Sequence, residues 1–252
     1  MKESPILFST PMVQAILEGR KTQTRRVVKF GSKNIKNPEF GFTSFSPDRS
    51  ISVRGYHLPS GEYGESFIKM PFQVGDLLWV RETFHRDENN EPWSTEESLH
   101  DTFTYKADNF HLDVLKPDVE AEEDYDMSYG GWYDSEYPED PKWKPSIFLP
   151  KKAARIWLKV IDVRVERLNE ISEQDALAEG VKYWMDDDQD PLLDGLYKNY
   201  ITGAKNLVSP YSSFQSLWES IHGESGWDLN PYVWVISFEV ISTTGKPEIP
   251  PN

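Results

Sequence analysis

The chain has 252 residues, with 27 Lys and Arg against 42 Asp and Glu, and a formal net charge of −15. That balance argues against a general nucleic-acid coat protein, which would be basic overall. The complete absence of Cys removes disulfides, thiolate nucleophiles and Cys-type zinc sites.

The length suffices to bury a core. No apolar run reaches the roughly 18 residues of a membrane span, and no signal peptide opens the chain. The expectation is a soluble, cytoplasmic protein with no membrane partner.

Ile6–Phe8 reads as a short apolar strand. Ser9 or Thr10 is placed to cap a helix with Pro11 in its first turn, where a missing N–H costs nothing. Met12, Val13, Ile16 and Leu17 form the apolar stripe, and Gly19 can end the helix in the left-handed conformation. Thr24–Val28 then reads as a strand. Residues 31–72 are rich in Gly, Ser, Pro and Asn and read as loops with room for a hairpin. "VGDLLWVRETF" (74–84) is a turn at Gly75–Asp76 entering a strand.

Residues 85–142 read as an insertion. From Asp113 to Asp140 it carries eleven carboxylates and one lysine. Its Tyr125, Tyr129, Trp132, Tyr133 and Tyr137 suggest a loop anchored by aromatics. "ARIWLKVIDVRVERL" (154–168) is the clearest strand. Ile156, Leu158 and Val160 alternate, and Ile161, Val163 and Val165 continue in the opposite phase, which predicts a bulge or tight bend. "SEQDALAEG" (172–180) predicts a short helix capped by Ser172 and stopped by Gly180. Residues 183–210 form a second polar insertion. "SFQSLWESIHG" (213–223) predicts a helix, and "YVWVISFEVI" (232–241) a last strand before a Pro-rich tail. Together these predict an α+β chain: a small barrel or curled sheet with peripheral short helices, enlarged by loops.

Several chemistries find no support. The five histidines (57, 85, 100, 111 and 222) show no paired metal spacing, and no phosphate-binding glycine loop or serine-hydrolase elbow is present. "DDDQD" (186–190) opens like a calcium loop, but Pro191 and Tyr197 stand where Gly and Glu are required. No metal or cofactor is called for.

Residues 19–38 hold Arg20, Lys21, Arg25, Arg26, Lys29, Lys33 and Lys36 and no acid. Two readings compete. In one, Arg20 and Lys21 complement a helix C-terminus, worth about 0.3–1 kcal/mol, and Arg25 and Arg26 are ordinary strand exteriors. In the other, the helix-to-strand turn brings Lys21 and Thr24 together as base and nucleophile, with burial or Arg20 and Arg25 lowering the amine's pKa. Glu179 sits at a helix C-terminus, where its charge opposes the dipole. A nearby cation would offset that, and Lys21 is the candidate.

The stretches "PILFSTPMVQAILEGRKTQTRRVVK", "GDLLWVRETF", "KPSIFLPKKAARIWLKV", "ISEQDALAEGV" and "LWESIHG…WDLNPYVWVISFEV" resemble, in this order, the ASCH domain family of the PUA-like superfamily. The likeness is greatest to the enlarged members encoded by bacteriophages and prophages. It implies a single ASCH domain with a PUA-like β-barrel of five to six strands. The core would be about 1–30, 73–88, 143–181 and 211–242, with insertions at about 31–72, 89–142 and 182–210.

It also implies a cleft beside the G-R-K-T segment that takes RNA or modified bases. In members that hydrolyse N4-acetylcytidine, a Lys and a Thr in K-T-x-T act with a Glu. By matching, these are Lys21, Thr24 and Glu179. The expected activity is therefore hydrolysis of a modified nucleoside or nucleobase, of the N4-acylcytidine amidohydrolase type.

The alternatives are a non-catalytic module for single-stranded RNA or modified DNA and a ribonuclease using the same basic cleft. In the binding module Arg20, Arg25, Arg26 and Lys29 hold phosphates, Arg81 belongs to the substrate- or nucleic-acid-binding set, and Trp79 either stacks a base or packs in the core. A phage protein that binds a host protein partner through its acidic face is a further reading.

Overall fold

The computed structural model describes residues 1–30, 35–41, 50–57, 61–86, 100–115, 142–184 and 195–248. In chain order the elements are β1 (Glu3–Leu7), α1 (Thr10–Leu17), β2 (Gln23–Val27), β3 (Ile35–Gly41), β4 (Ser50–His57), β5 (Tyr63–Lys69), β6 (Leu77–Arg81), β7 (Phe84–Arg86), β8 (His100–Tyr105), β9 (His111–Leu115), β10 (Trp157–Arg167), α2 (Glu173–Ala178), β11 (Tyr183–Trp184), β12 (Leu196–Lys198), β13 (Lys205–Leu207), α3 (Pro210–His222), α4 (Ser225–Asp228) and β14 (Tyr232–Ser242). The chain is thus α+β, with strands predominating.

All five strands expected from the apolar runs belong to one sheet, in the order β1-β6-β10-β14-β2. A closed barrel is not seen among the described residues: β1 and β2 are the two ends of that order. The chain divides into two compact units. Strands β10 and β14 each run through both, and the phase slip at Val160–Ile161 falls beside the division after Lys159. There β10 continues as one strand, with Val160 buried and Ile161 exposed.

The first unit comprises residues 1–18, 77–159 and 240–252. Its β1 runs parallel to β6, Glu3 opposite Leu77 and Leu7 opposite Arg81, and β6 pairs antiparallel with the start of β10. Helix α1 begins after Ser9, with Pro11 in its first turn, and Met12, Val13, Ala15 and Ile16 are buried. The Ser9 hydroxyl makes no capping bond; the Ser9 carbonyl accepts from the Met12 and Val13 amides instead.

A small antiparallel sheet, β7-β8-β9, lies within the stretch expected to be irregular. Phe84, Phe103 and Tyr105 from it pack with Leu149 and Ala153. Beside this core Arg155, 1% exposed, donates to both Glu82 carboxylate oxygens at 3.0 and 2.9 Å and lies over the Tyr105 ring. The acidic residues 116–140 lie outside the described residues, as do residues 186–190.

The second unit comprises residues 19–76 and 160–239. Its central pairing is antiparallel β14–β2, with Trp234 opposite Arg26 and Ile236 opposite Thr24. Two further three-stranded sheets, β3-β4-β5 and β11-β12-β13, occupy stretches that carry no clear alternation in the sequence. Helix α2 is capped as expected: the Ser172 hydroxyl accepts from the Asp175 amide at 3.1 Å. Gly180 ends it at φ +86°, a conformation that disfavours any side chain. Helix α3 buries Phe214, Leu217 and Trp218 and packs against α2.

Candidate functional site

The segment Arg20–Arg25 leaves Gly19 and meets the C-terminal end of α2 in an antiparallel bridge between Lys21 and Glu179. The Thr22 amide donates to the Ala178 carbonyl at 2.8 Å, and the Thr22 carbonyl accepts from the Phe238 amide at 2.9 Å. These main-chain bonds fix the start of β2 between α2 and β14. They carry the Lys21 side chain directly onto Glu179.

Lys21 and Glu179 are 2% and 3% exposed. The Lys21 ammonium donates to Glu179 Oε2 at 2.7 Å and to the Glu179 carbonyl at 2.9 Å. A carboxylate at a helix C-terminus opposes the macrodipole, and the cation that offsets it is the one the sequence suggests. Burial pushes the Lys21 amine below its ordinary value. Glu179 opposes this through charge and hydrogen bonding, and Arg26 and Arg25 add to the lowering. A neutral amine is therefore more accessible here than on an open surface. Arg20 contributes elsewhere: its guanidinium donates to the Gly180 carbonyl at 2.5 Å.

Arg25 departs from its expected place on a strand exterior facing phosphate. It is 3% exposed and enclosed by carboxylates. Its Nη1 donates to Glu179 Oε1 at 3.1 Å and to Gln23 Oε1 at 2.7 Å. Its Nε and Nη2 reach Glu166 Oε1 at 3.1 and 2.5 Å, and Nη2 reaches Asp175 at 3.3 Å. The Phe214 ring lies 5.6 Å away. A guanidinium so occupied does not track a nucleic-acid backbone. Arg164 joins from β10, donating to Asp175 at 2.8 Å and Glu166 at 3.2 Å. Sequence reading misses Glu166, Asp175 and Arg164; the cue it offers is alternating charge in "DVRVER".

Thr24 is 3% exposed. Strand alternation turns its side chain to the face opposite Gln23 and Arg25, and among the described residues its hydroxyl makes no hydrogen bond to Lys21. Arg26 and Lys29 are exposed.

Trp79 and Arg81 belong to the first unit. Trp79 is 6% exposed and packs with Leu77, Ala154 and Trp157, so the core-packing alternative describes it and an open stacking platform does not. The Arg81 guanidinium lies over its ring at 4.6 Å. Among the described residues no group of three or more His, Asp or Glu is arranged to hold a metal ion. No described helix is long and apolar enough to cross a membrane.

No protein-family model, no curated protein and no solved structure matches this chain.

Proposed function

We propose that the chain hydrolyses the exocyclic amide of an acylated nucleoside or nucleobase, of the N4-acylcytidine type, with Lys21 as general base and acid. The observation that carries this reading is the buried Lys21–Glu179 pair, in which the amine is oriented by two acceptors of one residue and its proton is loosened by burial. An amine serves as base at moderate pH only when its pKa is brought down toward the working pH. The resemblance of "GRKTQT" and "SEQDALAEGV" to the ASCH family supplies the substrate class.

In this mechanism neutral Lys21 takes the Thr24 hydroxyl proton as the Thr24 oxygen bonds to the acyl carbon. The tetrahedral adduct breaks the C–N bond, and Lys21 returns the proton to the departing N4 amine. Water, deprotonated by Lys21, then attacks the ester carbon; the bond to the Thr24 oxygen breaks, Lys21 returns the proton to that oxygen, and the carboxylic acid is released. Glu179 keeps the amine oriented and stabilises its protonated form. Thr24 lies on the strand face opposite Gln23 and Arg25, so this step requires the start of β2 to shift as substrate binds and bring the Thr24 hydroxyl to Lys21; without that shift Lys21 activates water directly.

The test is incubation with N4-acetylcytidine and a panel of acylated nucleosides and short RNAs, with products followed by mass spectrometry. Release of cytidine and acetate by the natural chain, and none by Lys21→Met, supports the reading. No release from any acylated substrate overturns it.

A further inference from the structure

We infer that Arg25 is a positioning residue for the reaction proposed above: its guanidinium holds Glu179 Oε1, so that Oε2 and the Glu179 carbonyl are presented to the Lys21 amine. The inference rests on that reading for its catalytic meaning and on the geometry of the cluster for its substance.

The two Glu179 oxygens are divided between two cations. Oε1 accepts from Arg25 at 3.1 Å and Oε2 from Lys21 at 2.7 Å. A carboxylate shared in this way cannot rotate without losing one partner. Arg25 is itself fixed in a planar fork by Glu166 and Asp175, and those two are held from the other side by Arg164. A lysine has no such fork and could not reproduce it. The line Arg164–Asp175/Glu166–Arg25–Glu179–Lys21 therefore runs from a half-exposed arginine to a buried amine.

Among the described residues, the charged groups around Lys21 and its partners include Arg20 before β2, Arg25 and Arg26 from β2, Asp162, Arg164 and Glu166 from β10, and Asp175 and Glu179 from α2 with its cap. Helix α3 contributes the Phe214 ring, which carries no charge. Drawing Glu179's charge toward itself, Arg25 weakens that carboxylate's hold on the Lys21 proton, in line with its lowering effect on the amine. Glu166 works in the opposite sense, because it neutralises Arg25. Removing Arg25 should thus tighten the Lys21 proton, and removing the Glu166 charge should loosen it. A merely structural role predicts otherwise: loosening the cluster lets in water, and either change would then move Lys21 upward toward an ordinary lysine.

The experiment is an NMR titration of the lysine side chains in the full-length chain, with the Lys21 signal assigned as the one missing from Lys21→Arg. It is run on the natural chain, Arg25→Gln, Arg25→Lys and Glu166→Gln. The expected result is an upward shift in Arg25→Gln, a smaller one in Arg25→Lys, and a downward shift in Glu166→Gln. Upward shifts in both Arg25→Gln and Glu166→Gln, or no shift in either, overturn the inference. If Arg25→Gln does not fold, the sign of the Glu166→Gln shift alone decides. The titration is independent of turnover: a chain that releases no product but shows shifts of opposite sign loses the proposed reaction and keeps the Arg25–Glu179 clamp.

Discussion

Glu179 meets Lys21 twice, through its carboxylate at 2.7 Å and its main-chain carbonyl at 2.9 Å. One residue thereby fixes both the charge and the direction of a buried amine. The carbonyl is one that a helix end leaves without an intrahelical partner.

Removing the carboxylate of a buried pair typically costs about 3–5 kcal/mol, whereas replacing both partners by apolar groups is often close to neutral. Glu179→Leu should therefore lower the urea midpoint strongly, and Lys21→Met less, because Glu179 keeps its ion pair with Arg25 at 3.1 Å. The double variant should recover most of the loss and remain inactive. A double variant no more stable than the worse single one would contradict this.

The lowered Lys21 pKa carries a pH signature. Its unfolded value is about 10.4, so the native state binds fewer protons than the unfolded state between the native pKa and that value. The stability it contributes is fully present above the unfolded pKa and is lost as pH falls through the native one. The stability of the natural chain relative to Lys21→Met should accordingly rise as pH increases toward 10.4. Turnover, which needs the neutral amine, should rise over a limb whose pKa is below 10.4. Denaturation and rate measurements over this range check both; a relative stability that falls as pH rises would reverse the assigned sign.

Thr24→Ala should abolish release of the acyl group while leaving the fold intact, because the hydroxyl makes no described hydrogen bond whose loss would matter. Thr22→Ala, at an exposed position, should retain activity. Full turnover in Thr24→Ala would assign the attack to water, with Lys21 still the base.

Ser172 caps the six-residue helix that presents Glu179. Ser172→Ala should cost about 1 kcal/mol of stability, read as a lower melting temperature. Unchanged melting would mean that α2 is held by its packing alone.

Helices α1, α2 and α3 and the five strands of the main sheet were legible because their punctuation is local. Pro11, Ser172, Gly19 and Gly180 each act within one turn, and the alternation around Trp157 and Val235 needs no partner to be seen. Of the three small sheets only a hairpin within residues 31–72 was expected, and the antiparallel β4–β5 pair lies there; the rest was not legible. Strand β3 contains Pro38 and β11 has two residues, and in β4 the alternation of Ile51 and Val53 is too short to stand out.

At the site, the Lys21–Glu179 pair followed from electrostatics, since a lone carboxylate at a helix end calls for a cation. Arg25 was legible as a cation that lowers the Lys21 pKa, but its burial among carboxylates was not. An arginine in a strand ordinarily points outward, and what buries it here are carboxylates 141, 150 and 154 positions away. Trp79 was ambiguous for the complementary reason: a buried and a stacking tryptophan have the same sequence.

The most direct test of the Lys21–Glu179 pair as the acid–base centre of an amide hydrolase is the rate of cytidine release from N4-acetylcytidine by the natural chain, Lys21→Met and Glu179→Gln, each verified as folded. The expected result is release by the natural chain, none by Lys21→Met, and a large loss in Glu179→Gln. Undiminished release by folded Lys21→Met would contradict it.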